Sequence, residues 1–244
     1  VPTRIVAVPT RFVASEESAL VNFVNTGLAK PTTKPPRPFE RGVRGRPTLV
    51  DNVETLANLA LIARDGEAAN SRLITVDGAV HEVAPDATLG ALVAGGHIQA
   101  VLAGGYGGNW LPFPAAAGLP LTHNDFRGVG LVLTLPVRAC GIAETAAILR
   151  YLADESARQC GPCMFGLPAI AQDFALLARG RADPPTLHRL RGRLGVIAGR
   201  GACAHPDGAV RLAASALRVF DRDVHAHAMG RPCLFAAERP RLRP

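Results

Sequence analysis

Three cysteines of this chain have a spacing that is typical of a metal centre. Cys160 and Cys163 form a C-x-x-C pair around Gly161 and Pro162, and Cys203 follows forty residues later. A two-residue gap lets two thiolates converge on one ion or cluster, and the Gly-Pro filler turns the backbone so that its N–H groups face the sulfurs. A disulfide or a redox dithiol is the competing interpretation of a C-x-x-C motif, but it gives Cys203 no role. The pattern therefore favours a metal ion or an iron-sulfur cluster.

The segments around these cysteines resemble the iron-sulfur region of a known family. It is the family of NADH- and FMN-binding flavoprotein subunits of respiratory complex I, with the related diaphorase subunits of NAD-linked hydrogenases and formate dehydrogenases. The family pattern reads E-S-C-G-x-C-x-P-C-R-x-G, followed by a distant C-A-L-G-D. Ala157 stands where the family places its first cysteine ligand. The residues that match the two motifs are Glu155, Ser156, Cys160, Pro162, Cys163, Gly166, Cys203 and Ala204.

The missing thiolate leaves three ligand sets open, because a cuboidal cluster takes four ligands and Ala157 is not one of them. A three-iron, four-sulfur cluster (3Fe-4S) needs only Cys160, Cys163 and Cys203. Zinc is a second possibility, with the three thiolates and the imidazole of His205 in a tetrahedral set. A four-iron, four-sulfur cluster (4Fe-4S) would take its fourth ligand from one further residue. The candidates are His205, Asp207 and Cys140.

Each of these additional residues also has an ordinary structural interpretation. His205 can simply mark a helix entry, and Asp207 would cap a helix that begins near Val210. Cys140 precedes the helix that leads to the cysteine pair, where a buried thiol is the commoner role. Cys233 lies in the arginine-rich tail, and the sequence assigns it no role.

The N-terminal part of the chain resembles the flavin- and nucleotide-binding region of the same family. Residues 11–20 resemble the run Y-I-C-G-E-E-T-A-L, residues 30–39 resemble a loop ending K-P-P-F-P, and residues 46–58 resemble P-T-x-V-N-N-V-E-T. In the family this region helps to hold FMN and NADH. The resemblance implies that role for Glu16, Glu17, Lys34, Asp51 and Asn52.

Without the resemblance, these five residues have plain interpretations. Ser15 would cap a helix whose acidic first turn suits the helix dipole, the lysine would be a solvated loop residue, and an Asx cap would begin a second helix over residues 53–64. The family's glycine-rich, phosphate-binding segment lies upstream of the matched region. We therefore expect a fragment that binds FMN poorly by itself, since such loops supply most of the phosphate-binding N–H groups.

The composition indicates a globular protein of one large or two modest domains. The 244 residues are 48% hydrophobic, which is ample for a packed core. No apolar run approaches about 20 residues, and the start lacks the features of a signal peptide, so we expect neither membrane insertion nor export. Five cysteines at loose spacing are unlike a secreted disulfide framework and favour a reducing cytoplasm.

The formal net charge of +7 comes almost wholly from arginine. A basic surface suits the docking of an acidic electron carrier, such as a ferredoxin-like or another iron-sulfur electron-transfer subunit. Nucleic acid is not expected as a partner, because the basic residues are scattered, aromatic residues are few and no recognition signature is present.

The residue patterns and the resemblance together predict an α+β fold in four parts. Residues 1–70 would be a remnant of the FMN/NADH-binding domain. Residues 71–136 would form a small β-grasp domain of the soluble-ligand-binding type. Residues 137–230 would form a four-helix bundle that carries the iron-sulfur site, and residues 231–244 a basic tail.

Local patterns predict the elements of these parts. Asp77 and Gly78 are a two-residue hairpin signal. The glycine run over residues 104–108 is interpreted as a structural loop rather than a nucleotide-binding loop, because no helix pattern follows it, and Trp110 as a core or interface residue. Further strands are predicted over residues 98–103 and 128–135, and helices over residues 88–94, 143–154, 167–178, 186–194 and 210–222.

The resemblance implies that this chain is the electron-transfer portion of an NADH dehydrogenase-type oxidoreductase. Electrons would pass from NADH via FMN to an iron-sulfur cluster and on to a protein or quinone-linked acceptor. No acid-base or nucleophilic constellation is recognisable in the sequence, so no catalytic side chain is predicted. The alternative is a non-catalytic scaffold or interaction module, stabilised by zinc or a cluster, which Ala157 and the missing flavin loop favour.

Overall fold

The computed structural model describes residues 3–66, 71–84, 86–93, 96–123 and 130–242, and the predicted α+β class is confirmed. Within these ranges the helices are α1 (Glu17–Thr26), α2 (Val53–Asp65), α3 (Leu89–Leu92), α4 (Gly141–Asp154), α5 (Leu167–Ala178), α6 (Pro184–Ile197), α7 (His205–Val219) and α8 (Asp221–Ala228). The strands are β1 (Arg72–Val76), β2 (Ala79–Val83), β3 (Ile98–Ala103), β4 (Asn109–Pro112) and β5 (Leu131–Pro136). A π-helical turn, Pro162–Gly166, leads into α5.

The strands form one sheet in the order β2-β1-β5-β3-β4. β1 and β5 are parallel, and the other neighbouring pairs are antiparallel. The predicted hairpin is present, and its turn residues Asp77 and Gly78 have φ values of 46° and 90°, as the favoured hairpin turn requires. The carboxylate of Asp77 accepts hydrogen bonds from the backbone N–H of Thr134 at 2.8 Å and from its hydroxyl at 2.6 Å. The turn is therefore fixed to β5.

Strand β4 was not predicted from the sequence, because four residues are too few to give a periodic signal. Trp110 on this strand is 1% exposed. Its Nε1 donates to Thr145 Oγ1 and its backbone N–H donates to Ser215 Oγ, both at 3.0 Å. Its ring centroid lies 5.2 Å from that of Phe220. Trp110 is thus a core residue that joins the sheet to α4 and α7.

Alternate residues of the central strand β3 face two hydrophobic cores. Ala100 and Leu102 belong to the core that also contains the buried residues of α4, α5, α6 and α7. Val101 and Ala103 belong to a second core, on the other face of the sheet, with Leu89 of α3. One face of the sheet therefore packs against the helices. The core that the sheet and the helices share fixes the position of the sheet relative to the helices.

Helices α4, α5, α6 and α7 pack in a ring, in which each contacts the next and α7 returns to α4. The buried carboxylate of Asp173 on α5 is paired with Arg193 and, at 3.1 Å, with Arg189, both on α6. Pairing of this kind offsets the cost of burying the carboxylate. In the described part of the chain, no helix combines the length and the apolarity that crossing a membrane requires.

Some element boundaries differ from the predictions. α7 begins at His205 rather than near residue 210, because Pro206 occupies its first turn, where the missing N–H costs nothing. It ends at Val219, and the separate helix α8 follows, whereas the sequence pattern predicted one helix as far as residue 222. Residues 128 and 129 of the predicted last strand, and Ala94 of the predicted short helix, lie outside the described residues.

The arginine-rich tail is docked against the helices as far as the structure describes it. The buried carboxylate of Glu144 on α4 accepts hydrogen bonds from the backbone N–H groups of Arg241 at 2.8 Å and Leu242 at 2.9 Å. The guanidinium of Arg138 lies 6.0 Å from the ring centroid of Phe235. These contacts hold the tail at the beginning of α4.

We expect Gly108→Ala to destabilise the fold strongly. A Cβ at this position would lie 1.8 Å from the carbonyl oxygen of Ala103, so the connection between β3 and β4 would have to move. The free energy of unfolding, measured by urea denaturation, should fall by at least about 2 kcal/mol. Gly118→Ala is the matched control, because nothing lies within 4 Å of its Cβ position. Equal stability of the two variants would contradict this packing.

Candidate metal centre

The two cysteine segments meet beyond the end of α4. Cys160 lies in the bend before the π-helical turn, Cys163 is buried within that turn, and Cys203 lies just before α7. Backbone N–H groups of Ala202 and Cys163 face the sulfur of Cys160. Because Ala202 belongs to the second segment, this contact brings the three thiols to one place.

The pKa values of the three thiols show how each influences the others. Burial raises the pKa of Cys160, but the facing N–H groups outweigh burial and hold this pKa below its ordinary value. Burial, and then the neighbouring Cys160 and Cys203, raise the pKa of Cys163 to about 12. Burial also raises the pKa of Cys203, and the carboxylate of Glu16 adds to this effect. A cationic group bound among the thiols would relieve this repulsion between their ionised forms.

The three thiols and His205 do not form a compact tetrahedral site. A zinc ion with Zn–S bonds of about 2.3 Å needs ligand atoms about 3.8 Å apart. Within the described ranges, no three ligand atoms of this group lie within 4.8 Å of one another. The arrangement is wider than a single zinc ion requires, and a group with several metal atoms suits it better.

Two buried polar atoms in the same segments have no hydrogen-bond partner. They are Ser156 Oγ and His205 Nδ1. The Nε2 atom of His205 lies 2.8 Å from the carbonyl oxygen of Leu152, which can only accept, so Nε2 carries the proton and Nδ1 presents a lone pair. Burial lowers the pKa of His205, which keeps the ring neutral. Buried atoms left in this state indicate that a further group belongs here.

The other two candidates for a fourth ligand have different partners. Asp207 does not cap a helix from outside but lies in the first turn of α7, where its Oδ1 accepts a hydrogen bond from the N–H of Gly199 at 2.7 Å. Cys140 is the N-cap of α4, at the opposite end of that helix from the cysteine pair. Its sulfur lies 3.8 Å from Nε2 of His227. Cys140 is therefore excluded as a ligand of this centre.

Three of the five residues that the resemblance assigns to flavin and nucleotide binding lie together. Nζ of Lys34 lies 2.5 Å from Oε1 of Glu16 and 2.9 Å from Oε1 of Glu17. Glu16, rather than Ser15, is the N-cap of α1, because its carboxylate accepts two N–H groups of the first turn. The electrostatic influence of both Glu16 and Lys34 reaches Cys203. This ion-pair group therefore adjoins the third cysteine.

Asp51 and Asn52 lie at the beginning of α2. Oδ1 of Asn52 accepts a hydrogen bond from the N–H of Thr55 at 2.8 Å, so Asn52 is the N-cap of α2 and the Asx-cap interpretation is confirmed. Asp51 is exposed and borders a shallow cavity of about 300 Å³ beside α1. Both residues are exposed, although the side-chain oxygen of Asn52 is engaged in the cap.

A cavity of about 550 Å³ is lined both by Glu16 of the ion-pair group and by Cys203. Its walls come from the segment before α1, the glycine run before β4 and the beginning of α7. The glycine run is held close to α7, since a Cβ on Gly107 would lie 3.4 Å from the Cα of Gly208. The polar side chains in the wall include Glu16, Cys203, His205 and Arg211. The volume is in the range of sites for small organic ligands.

Sequence reasoning did not find a second group of possible metal ligands. Cys140, His227 and Cys233 place their ligand atoms within 4.8 Å of one another. Cys140 and His227 are 87 residues apart, so no motif connects them. The only signal in the sequence was weak. It consisted of Cys140, considered above as a fourth cluster ligand or a buried thiol, of Cys233, which had no role, and of a histidine six residues before Cys233.

We expect iodoacetamide to alkylate Cys160 before Cys163 in the reduced, metal-free chain. The thiolate is the reactive form, and near neutral pH it is more populated at Cys160, whose pKa is lowered, than at Cys163, whose pKa is about 12. Peptide mass spectrometry after timed alkylation gives the order. Cys203, whose pKa is raised, is the internal comparison. Labelling of Cys163 as fast as Cys160 would contradict this geometry.

We expect Lys34→Met to weaken the dependence of stability on acid. Burial raises the pKa of Glu16, but hydrogen bonds from Lys34 and Ser18 outweigh burial and hold this pKa below its ordinary value. A carboxylate with a lowered folded-state pKa contributes stability above its unfolded pKa and loses it as the pH falls through the folded pKa.

Urea denaturation at about pH 6 and about pH 3 should therefore show a smaller loss of stability for Lys34→Met than for the parent. Lys30→Met is the matched control, because Lys30 is exposed in the same loop and should behave as the parent. Identical acid sensitivity of the parent and Lys34→Met would be evidence against the ion-pair group.

Comparison with known proteins identifies related chains. Residues 143–227 match the family described as the NADH-ubiquinone oxidoreductase-F iron-sulfur binding region. The chain is 29% identical over 249 residues to the F-type subunit of NADH-quinone oxidoreductase from Salmonella typhimurium, and the match covers 88% of this chain and 55% of the relative. It is 26% identical over 243 residues to the mitochondrial NADH dehydrogenase (ubiquinone) flavoprotein 1 of Dictyostelium discoideum, with 87% of this chain and 51% of the relative covered.

A solved structure shows the same fold. A chain of an NAD+-reducing NiFe hydrogenase in the H2-reduced state superposes with a TM-score of 0.79 and 27% identity, over 92% of this chain and 41% of the other. The chain spans about half the length of the curated relatives that it matches. The resemblance found in the sequence is therefore confirmed: this chain is similar to part of the F-type flavoprotein subunits of NADH dehydrogenases, and its residues 143–227 match the model of their iron-sulfur binding region.

Proposed function

We propose that this chain is the electron-transfer portion of an NADH dehydrogenase-type oxidoreductase, which passes electrons from NADH via FMN to an iron-sulfur cluster and on to a protein or quinone-linked acceptor. The observation that carries the proposal is the meeting of three thiols from two separate segments that also hold two unpartnered buried polar atoms. The names of the relatives, an NADH-quinone oxidoreductase and an NAD+-reducing hydrogenase, support the same reaction class.

Cys160, Cys163 and Cys203 would hold the cluster. A cluster of this kind, when bound, supplies a one-electron carrier. Because Ala157 offers no thiolate, a 3Fe-4S cluster fits the three cysteines directly. A 4Fe-4S cluster would take its fourth ligand from His205, whose Nδ1 lone pair is buried without a partner. Zinc in this site is disfavoured by the spacing of the ligand atoms.

The protein groups around the thiols would tune the potential of such a centre. N–H groups that face Cys160 stabilise negative charge on its sulfur, and burial of Cys163 keeps water away. Beside Cys203, the carboxylate of Glu16 disfavours additional negative charge, whereas the ammonium of Lys34 favours it. This chain would therefore contribute to electron transfer by setting the reduction potential of the centre through these charges and N–H groups, and not by supplying an acid-base residue.

Flavin and nucleotide contacts are proposed for Glu16, Glu17 and Lys34, because this group adjoins both Cys203 and the cavity that reaches it. Asp51 and Asn52 are proposed as further contacts on the resemblance alone. Binding here would place the organic cofactor next to the cysteine centre, which short-range electron transfer needs.

The architecture supports a division of these roles. We assign residues 1–70 to the remnant of the FMN/NADH-binding domain, residues 71–136 to a β-grasp domain, residues 137–230 to a four-helix bundle that carries the cluster, and residues 231–244 to a basic tail. The five-stranded sheet and the ring of α4, α5, α6 and α7 support the middle two assignments. The formal charge of +7 favours an acidic, ferredoxin-like partner, and a cytoplasmic location is proposed with it.

Anaerobic reconstitution with iron and sulfide tests the ligand set. We expect about three or four irons per chain, with a broad absorption band near about 400 nm. Most of this iron should be lost in each of the variants Cys160→Ser, Cys163→Ser and Cys203→Ser, because each substitution removes one of the three thiolates that would hold the cluster. Cys233→Ser is the matched control and should retain the iron, since it lies at the other end of α4. Equal iron in all four variants would refute the proposed ligands.

Ala157→Cys separates the two cluster types. If the parent holds a 3Fe-4S cluster, the added thiolate should raise the iron content and replace an EPR signal of the oxidised protein with one that appears on reduction. If the parent already holds a 4Fe-4S cluster, His205→Ala should remove the fourth ligand instead. The non-catalytic scaffold is motivated by the absence of a cysteine at position 157. Colourless protein that binds no iron, and that binds less zinc after Cys160→Ser, would favour it.

A further inference from the structure

A second set of metal-ligand side chains lies at the beginning of α4. The ligand atoms of Cys140, His227 and Cys233 are all within 4.8 Å of one another, and Sγ of Cys140 is 3.8 Å from Nε2 of His227. His227 is 0% exposed and Cys140 is 2% exposed. The three residues come from the N-cap of α4, the last turn of α8 and the tail. The tertiary fold therefore brings them together, since they share no sequence motif.

The hydrogen bonds of His227 give it the tautomer that binds a metal. Its Nδ1 lies 3.1 Å from the carbonyl oxygen of Leu177, which can only accept, so Nδ1 carries the proton. Its Nε2 accepts the backbone N–H of Cys233 at 3.1 Å, so its single lone pair is engaged by that N–H, and Sγ of Cys140 lies 3.8 Å from the same nitrogen. Histidines that bind metals commonly donate their other N–H to a backbone carbonyl in this way.

Charge and distance select the metal. Two thiolates and a neutral imidazole together neutralise a divalent ion, and a neutral site costs least in a buried place. Soft thiolates with imidazole prefer Zn²⁺ over hard divalent cations such as Mg²⁺ and Ca²⁺. Tetrahedral ligation with Zn–S bonds of about 2.3 Å needs sulfurs about 3.8 Å apart, which the cluster of ligand atoms can provide with small shifts.

We propose that Cys140, His227 and Cys233 form a structural Zn²⁺ site that fastens the C-terminal tail to the beginning of α4. Binding forms two Zn–S bonds and one Zn–N bond and releases the two thiol protons to solvent, with no change of oxidation state. Water would complete the tetrahedron from the side where Cys233 is partly exposed. The N–H of Cys233, freed from His227, turns to the same solvent.

This site is distinct from the first centre in place and in role. α4 has 14 residues and is therefore about 21 Å long, and the two cysteine groups lie at its opposite ends. The tail that the zinc would fasten already contacts α4 through Glu144, which accepts two backbone N–H groups of Arg241 and Leu242. A bound Zn²⁺ would further restrict the movement of the tail, which the hydrogen bonds to Glu144 already hold near α4.

The experiment uses the full chain with Cys160, Cys163 and Cys203 replaced by serine, so that the first centre binds no metal. After reduction and removal of metals, the protein is titrated with Co²⁺ and then with Zn²⁺. We expect one Co²⁺ per chain, with tetrahedral visible bands and a thiolate-to-metal charge-transfer band, and its displacement by one Zn²⁺ with release of about two protons near pH 7.

Further substitution at the site identifies the ligands. Cys233→Ser and His227→Ala should each weaken Zn²⁺ binding at least about 100-fold. His225→Ala is the matched control on α8, because its exposed ring lies outside the site, and it should leave the affinity unchanged. Cys233 is only partly buried, so its serine variant is expected to keep the helical circular dichroism spectrum of the parent even if His227→Ala does not.

Three results would overturn the proposal. The first is the absence of Zn²⁺ and Co²⁺ binding by the reduced protein at micromolar metal. The second is unchanged affinity in Cys233→Ser. The third is a Cys140–Cys233 disulfide in anaerobically isolated protein, detected by mass spectrometry, because the oxidised pair has no thiolates to bind the ion.

Discussion

The candidate centre depends on the packing of one short strand against two helices. Trp110 on β4 donates hydrogen bonds to Thr145 of α4 and to Ser215 of α7, and its ring lies against Phe220. This contact places the glycine run beside Gly208, near the beginning of α7. Since the third cysteine immediately precedes α7, the sheet and the bundle of helices together determine where that cysteine meets the other two. A buried aromatic residue with both polar groups satisfied is well suited to this task.

Electrostatics then distinguishes the three thiols, although their residue type is the same. Facing N–H groups lower the pKa of Cys160, whereas burial and neighbouring thiols raise the pKa of Cys163 to about 12. Beside Cys203 lies the group of Glu16, Glu17 and Lys34, whose charges partly offset one another. A multinuclear cluster suits this asymmetric environment, because each ligand can carry a different share of the negative charge.

Helix α4 lies between the two groups of cysteines and separates them by its length. One end leads to Cys160 and Cys163, and the other begins with Cys140. The same helix contacts α5 and α7, accepts the hydrogen bond of Trp110 and holds the tail through Glu144. Because a packed helix is stiff, changes at one end are not expected to alter the spacing of ligands at the other.

The sequence alone determined the cysteine spacing, the hairpin turn at Asp77 and Gly78, and the α+β class, since each depends on residues close together in the chain. The family resemblance also rested on such local motifs. Only the tertiary structure showed the contacts that local patterns do not encode. It showed that Trp110 lies on a strand and packs against α4. It also showed that Cys140 lies away from the first centre and instead beside His227, which is 87 residues later in the chain. These contacts join distant segments, and only packing of the whole core specifies which of them touch.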